Sequence, residues 1–164
     1  MDGPISQAKS QLWKIVNEFN HARVRDEIPE IEVALYEYGN NSVSATDNCV
    51  RQVLPLTRDL DRVSDELFKL RTNGGEEYCG VVIREAIRHL GWDTGNNNLK
   101  LIFIAGNEPF DQGPVRPIEA YRDAHGRGIV VSTIYCGPRS QGIAEYWDRG
   151  PLAADGKFLV IDQN

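Results

Sequence analysis

Lys100 to Ala105 (KLIFIA) and Ile129 to Ile134 (IVVSTI) decide how this sequence reads. Both are nearly continuous apolar runs. That pattern predicts strands covered on both faces, as in a parallel sheet, rather than strands with one wet face. Between them, residues 117–125 carry a helical pattern. After them come a short helix near 142–149 and a strand at 158–162 (FLVID). Three parallel strands, each joined to the next by a helix, are the outcome. Right-handed crossovers then cover the sheet on both faces. Ligands of such sheets bind beyond the carboxyl ends of the strands. Those ends are Gly106-Asn107-Glu108, Tyr135-Cys136-Gly137 and Asp162-Gln163-Asn164.

Toward the N-terminus the alternation continues. Residues 77–90 read as a helix that Gly91 ends as a C′ residue. Thr72 to Gly75 is a turn. Residues 59–70 form a helix that Thr57 or Asp59 can cap, with Leu60, Val63, Leu67 and Leu70 as its apolar stripe. Residues 50–56 (VRQVLPL) are a strand, and Pro55 removes a ladder donor and so places it at a sheet edge. Residues 30–38 alternate, with Ile31, Val33 and Leu35 on one face and Ala34, Tyr36 and Tyr38 on the other. A short connection between these two strands makes them an antiparallel pair. Residues 4–20 are a helix with Pro4 in its first turn and Ile5, Ala8, Leu12, Ile15, Val16 and Phe19 at helical spacing. The class is α/β: a Rossmann-like three-layer α/β/α sandwich, mostly parallel, with one antiparallel edge strand. Residues 1–164 make one domain.

Composition bounds the function. Hydrophobic residues make up 41% and charged residues 26%, enough for a globular core. No apolar run approaches the ~18 residues of a membrane span. Met1 to Pro4 shows neither the basic nor the apolar region of a signal peptide, so the compartment stays open, with export if the true start lies upstream. The net charge of −6, with basic residues scattered among acids, argues against a nucleic-acid partner. The cysteines, Cys49, Cys79 and Cys136, have no metal-ligand spacing, and their odd number argues against a disulfide framework. His21, His89 and His125 fall on polar helical stretches and read as solvated. No nucleophile elbow, P-loop or dinucleotide turn is present. Gly126-Arg127-Gly128 precedes a strand, the wrong side for such a turn, and nothing places Asp111 and Asp123 together as an acid–base pair. The expectation is that the chain is not an enzyme.

Four pieces in order carry a resemblance: VALYEYGNN, VLPLTRDLDRVSDELFKLRTNGGEE, a helix ending HLGW, and LKLIFIAGNEPFDQGP. Over residues 5–137 the sequence resembles the bacterial and extracellular branch of von Willebrand factor A (VWA) domains. The resemblance implies a protein-binding module of adhesion or scaffold type. It also implies a metal ion-dependent adhesion site: a D-x-S-x-S motif ending the first strand, a Thr in a later loop and an Asp ending the fourth strand. Mg²⁺ or Mn²⁺ held by such oxygens leaves a position for a partner's carboxylate.

This chain departs from the pattern at all three places. The D-x-S-x-S motif is absent, and Met1 sits where it would end. Glu77, beside Glu76, falls at the Thr position, and Asn107 at the Asp position. Glu76, Glu77 and Asn107 are thus the candidates for a degenerate divalent-metal site; the plainer reading makes the glutamates first-turn helix acids and Asn107 a turn residue. The metal-independent interaction scaffold is the alternative function, and a hydrolase on a Rossmann-like sheet the third. The resemblance also implies that the central first strand of the fold is missing, as is the last helix. A true start upstream, a strand donated by a partner or a second copy, or closure of the gap by the remaining strands would each answer this. Cys79 and Cys136 fall near the carboxyl edge of the sheet and are the candidate disulfide of an exported protein.

Overall fold

A computed structural model describes residues 3–23, 25–40, 49–71, 76–95, 97–153 and 155–161. The turn at 72–75, most of the loop after Gly39 and the carboxyl end at 162–164 lie outside the described residues. The elements run α1 (Gly3–His21), β1 (Val33–Tyr38), β2 (Val50–Thr57), α2 (Leu60–Lys69), α3 (Cys79–His89), β3 (Lys100–Gly106), α4 (Pro117–Gly126), β4 (Ile129–Cys136), α5 (Arg139–Ala144), α6 (Arg149–Ala153) and β5 (Phe158–Ile161).

The strands form two sheets. β3, β4 and β5 pair in that order, all parallel, with Lys100 opposite Ile129 and Thr133 opposite Phe158. β1 and β2 form an antiparallel pair. Pro55 stands on β2, whose only neighbour among the described strands is β1, an edge position where a missing donor is tolerated. The ladder shifts register on either side of Leu35, opposite this proline-bearing stretch. These irregularities break the strict two-face alternation expected of residues 30–38, and every β1 residue is half-buried. Helices pack in two groups, α1 with α2 and α3 with α4 and α6, each laid against strands.

The core centres on β4. Val131, Ile134 and Thr133 are fully buried there, and Ile83, Ile87, Phe110, Tyr121 and Trp147 close around the strand. Phe110 meets Trp147 edge-on, with ring centroids 4.7 Å apart. The Thr133 hydroxyl, buried in this apolar setting, donates to the Trp147 carbonyl at 2.7 Å, which removes the cost of an unpaired polar group.

Helix ends follow local chemistry. Asp59 caps α2, its Oδ1 accepting from Arg62 N at 3.1 Å, while the Thr57 hydroxyl accepts from Asp59 N. Of the two residues considered as caps, Asp59 is the cap, and Thr57 makes the turn that leads into it. The other end of α2 is closed from a distance: the Lys9 ammonium donates to the carbonyls of Phe68 and Leu70. At the end of α3 the expectation fails. Gly91 is not in the left-handed conformation of a C′ glycine. The helix stops because Leu90 turns extended, and the Trp92 indole N–H donates to the Ala86 carbonyl at 2.9 Å. An aromatic side chain does the capping that backbone does in a glycine stop. The helix expected near 142–149 is two short helices, α5 and α6, separated by a turn in which Tyr146 has φ +70°. Such a conformation cannot continue a right-handed helix.

β3 also differs from its reading. Of its residues only Ile104 is fully buried, although the apolar run predicts cover throughout. One edge of β3 pairs with β4; the other has no strand beside it among the described residues. Among the described residues no helix is long and apolar enough to cross a membrane.

Candidate functional site at the carboxyl end of the sheet

Gly106, the last residue of β3, marks where the two sheets meet. A Cβ built there would lie 2.5 Å from the Tyr38 hydroxyl, 2.8 Å from Glu77 Oε2 and 2.8 Å from the Trp147 ring. Three elements far apart in sequence converge on one backbone position, and only glycine leaves them room. The Tyr38 hydroxyl donates to the Ala105 carbonyl at 2.6 Å, linking the end of β1 to the end of β3. Gly39 follows with φ +72°, and a side chain there would strike the Glu77 stem.

Glu77 is the central acid of this cluster. Its Oε2 accepts from the Glu108 backbone N–H at 3.4 Å, and the Asn107 backbone N–H also stabilises it. Its own N–H donates to Gln112 Oε1 at 3.3 Å. Burial raises its pKa, against the lowering by those two amides, and the nearby Glu108 charge adds to the rise. Cys79, fully buried, donates its thiol to the Tyr38 hydroxyl at 3.9 Å. Burial raises the Cys79 thiol above its usual range, and the Glu77 charge adds to it. Cys136 is pushed up to about 11, first by burial and then by the Glu77 charge. Both thiols are therefore held protonated and poorly nucleophilic. Tyr38 is raised as well, by burial first and then by the neighbouring thiol and acid.

The loop beyond Gly106 is braced from behind. The Trp147 indole donates to the Glu108 carbonyl at 2.8 Å, and the Phe110 N–H donates to the Glu145 carbonyl at 3.0 Å. The Tyr135 hydroxyl donates to Glu145 Oε2 at 3.0 Å and lies 3.5 Å from the Asn107 carbonyl. Asn107 and Glu108 are left exposed on a rigid support.

Of the residues singled out from sequence, Glu77 and Asn107 come together, though through the Asn107 backbone. Glu76 goes elsewhere: it accepts from the Tyr78 hydroxyl on the exposed side. Cys79 and Cys136 both sit near Glu77, but as free thiols and not as the disulfide the sequence suggested. Cys79 is occupied with Tyr38, and both thiols lie below the surface. Tyr38, Gln112 and Trp147 were missed. Their partners lie 67, 35 and 39 residues away in sequence, so no local pattern points to them. The histidines sit on exposed helix surfaces, with His89 ten residues along α3 from Cys79, or about 15 Å at 1.5 Å per residue. No thiol–imidazole pair forms between those two.

The described residues around Glu77 do not fit a divalent ion of the kind the resemblance implies. Among the described residues no group of three or more His, Cys, Asp or Glu converges. A hard cation needs about six oxygens. Here one carboxylate, biased toward its neutral form, already accepts backbone N–H groups and has thiols for neighbours.

No family model matches the sequence, and no curated protein does. Solved structures do. The conserved hypothetical protein BatB from Bacteroides thetaiotaomicron superposes with a TM-score of 0.67 at 15% identity, over 98% of this chain and 80% of that one. The SpRpn10 VWA domain superposes with a TM-score of 0.64 at 16% identity, over 96% and 77%. Proximal thread matrix protein 1 from the mussel byssus, with a zinc-occupied MIDAS motif, matches with a TM-score of 0.64 at 12% identity, over 99% of this chain and 39% of that one. Such identities bear on architecture alone. The parallel β3–β4–β5 sheet, the antiparallel β1–β2 pair and the helices around them have the fold of a VWA domain.

Proposed function

We propose that the chain is a protein-binding module that presents the carboxyl end of its sheet, around Asn107 and Glu108, to a partner without help from a metal ion. The observation that supports it is the contrast within a few residues: Asn107 and Glu108 are exposed, while Trp147, Tyr135 and Glu145 fix their backbone from behind. A rigid polar surface at the ligand-binding end of an α/β sheet loses little entropy on binding. The acids also make this end electronegative, which favours a basic partner surface. The high pKa of the Cys136 thiol and the distance of His89 from Cys79 argue against covalent chemistry at the same place.

A second reading has one observation behind it. A structure of the same fold holds zinc at its MIDAS motif, and Glu77 occupies the carboxyl end of the sheet here. Thermal unfolding with and without millimolar Mg²⁺, Mn²⁺ or Zn²⁺ separates the two. The proposal expects an unchanged melt. A metal-dependent rise that Glu77→Gln abolishes would replace it with the metal-dependent reading. For binding itself, a partner retained by the native chain should be lost with Glu108→Arg and kept with Asp155→Arg, which lies beside α6. Equal retention by both variants would place the binding surface elsewhere.

A further inference from the structure

The segment 139–150, which holds α5 and the start of α6, lies on the core by one side only. Gly142, Trp147 and Gly150 are buried. A Cβ on Gly142 would sit 2.8 Å from the Tyr135 ring, and one on Gly150 would run into the Tyr121 ring. The other side carries Arg139, Ile143, Tyr146 and Arg149, all exposed. The Tyr146 N–H donates to the Ile143 carbonyl and the Arg149 N–H to the Tyr146 carbonyl, so these residues stand on successive turns. Ile143 is 44% and Tyr146 37% exposed. Each end of the row is an arginine stacked on an aromatic ring: Arg139 over Phe158 at 5.0 Å and Arg149 over Tyr146 at 4.1 Å. Neither guanidinium has an ion-pair partner among the described residues. The acids of the segment are engaged elsewhere. Glu145 accepts from the Tyr135 hydroxyl and from Gln141 Nε2, and one Asp148 oxygen is buried. Tyr146 adds an independent sign. It has φ +70°, a conformation that strains a tyrosine and suits glycine. Its ring is more than a third exposed and rests against Arg149, itself exposed. The fold gains little from a side chain at this strained position.

We propose that Arg139, Ile143, Tyr146 and Arg149 form a docking surface for an acidic segment of another protein, one with apolar side chains between its carboxylates. Guanidinium groups bind carboxylates through paired N–H bonds. Stacking on a ring holds each arginine in place before the partner arrives, so little side-chain freedom is lost on binding. Ile143 and Tyr146, between the arginines, take the apolar side chains. Charge selects the class of partner. The chain as a whole carries −6, yet this row is positive and its neighbouring acids are engaged. Two arginines match two carboxylates, whereas an anionic membrane surface calls for about four to eight basic residues. The row is opposite in sign to the surface around Asn107 and Glu108 and stands independently of the reading given to that site.

The probe is a fluorescein-labelled peptide in which glutamates flank a leucine–phenylalanine pair, titrated with the full chain and read by anisotropy. A peptide with serines in place of the apolar pair controls for charge alone, and vesicles of phosphatidylcholine and phosphatidylserine stand for a membrane surface. Binding of the first peptide should weaken about tenfold or more with Arg149→Glu and with Ile143→Ser, and should fall as salt is added. Arg122→Glu, the same charge change at an exposed position of α4, should leave it unchanged. Tyr146→Gly separates binding from folding. It should weaken the peptide by a similar factor and keep Tm within about 2 °C of the native chain, or above it, because glycine relieves the strain. A larger fall in Tm would show that the fold itself needs the tyrosine and would overturn the proposal. No binding of the first peptide, equal binding of the serine peptide, equal loss with Arg122→Glu, or tighter binding to the anionic vesicles than to the peptide would each overturn it as well.

Discussion

The β3–β4–β5 half and the β1–β2 half use strands of similar apolar content to different ends. β4 has a strand on each side and helices over it, and its side chains from Val131 to Tyr135 are buried. Among the described strands β1 has one neighbour and a broken register, and none of its residues is fully buried. Apolar composition sets what a strand can bury; the number of neighbouring strands sets what it does bury. The same difference appears within one sheet, since β3, with one strand neighbour among the described residues, is covered far less than β4.

Substitutions test this contrast. The largest effect belongs to Trp147→Ala. The indole is fully buried, packs on Phe110 and Tyr135 and holds the Glu108 carbonyl. A loss of about 3–5 kcal/mol is expected in urea unfolding; a loss of ~1 kcal/mol would mean that the core does not centre on it. Next comes a matched pair. Ile134→Ala, at a fully buried β4 position, should cost about 2–5 kcal/mol. Val33→Ala, on half-buried β1, should cost about 1 kcal/mol or less. Equal costs would erase the distinction between the halves. Removing the α2 cap with Asp59→Ala should cost about 1 kcal/mol, read from the same midpoints.

The smallest effect is a pH dependence. Folding raises the Glu77 pKa above its ordinary 4.5, so the fold prefers the protonated acid. That preference is fully expressed below the unfolded value and is lost as pH rises through the higher folded value. Glu77→Gln, which cannot ionise, should therefore be more stabilising relative to the native chain at pH 7 than at pH 4. A difference of opposite sign in paired thermal melts would show that the carboxylate is held charged, as a metal or cationic partner would hold it.

Much of the fold was legible in the sequence because its signals are local. Apolar runs gave the parallel strands, Pro55 gave the edge, and Asp59 gave a helix start. The carboxyl end of the sheet was picked out as the candidate site through topology, and Glu77 and Asn107 through resemblance; the structure brings the Glu77 carboxylate to the backbone of Asn107 and Glu108 there. What escaped depends on contacts across the chain. Gly91 promised a glycine stop, but Trp92 reaches back to Ala86 instead. Glu76 and Glu77 are neighbours in sequence, and the backbone turns them to opposite environments, one on the exposed Tyr78 side and one under the Glu108 amide. Tyr38 looked like an alternating strand residue and joins two sheets. The half-exposure of KLIFIA goes with a single strand neighbour among the described residues, which no property of KLIFIA records.

Amide hydrogen exchange on the native chain tests the central contrast most directly. Exchange should be slowest across β4, residues 129–136, and clearly faster in β1, residues 33–38. Protection of β1 equal to that of β4 would contradict it and would mean that the two sheets are joined by a continuous ladder.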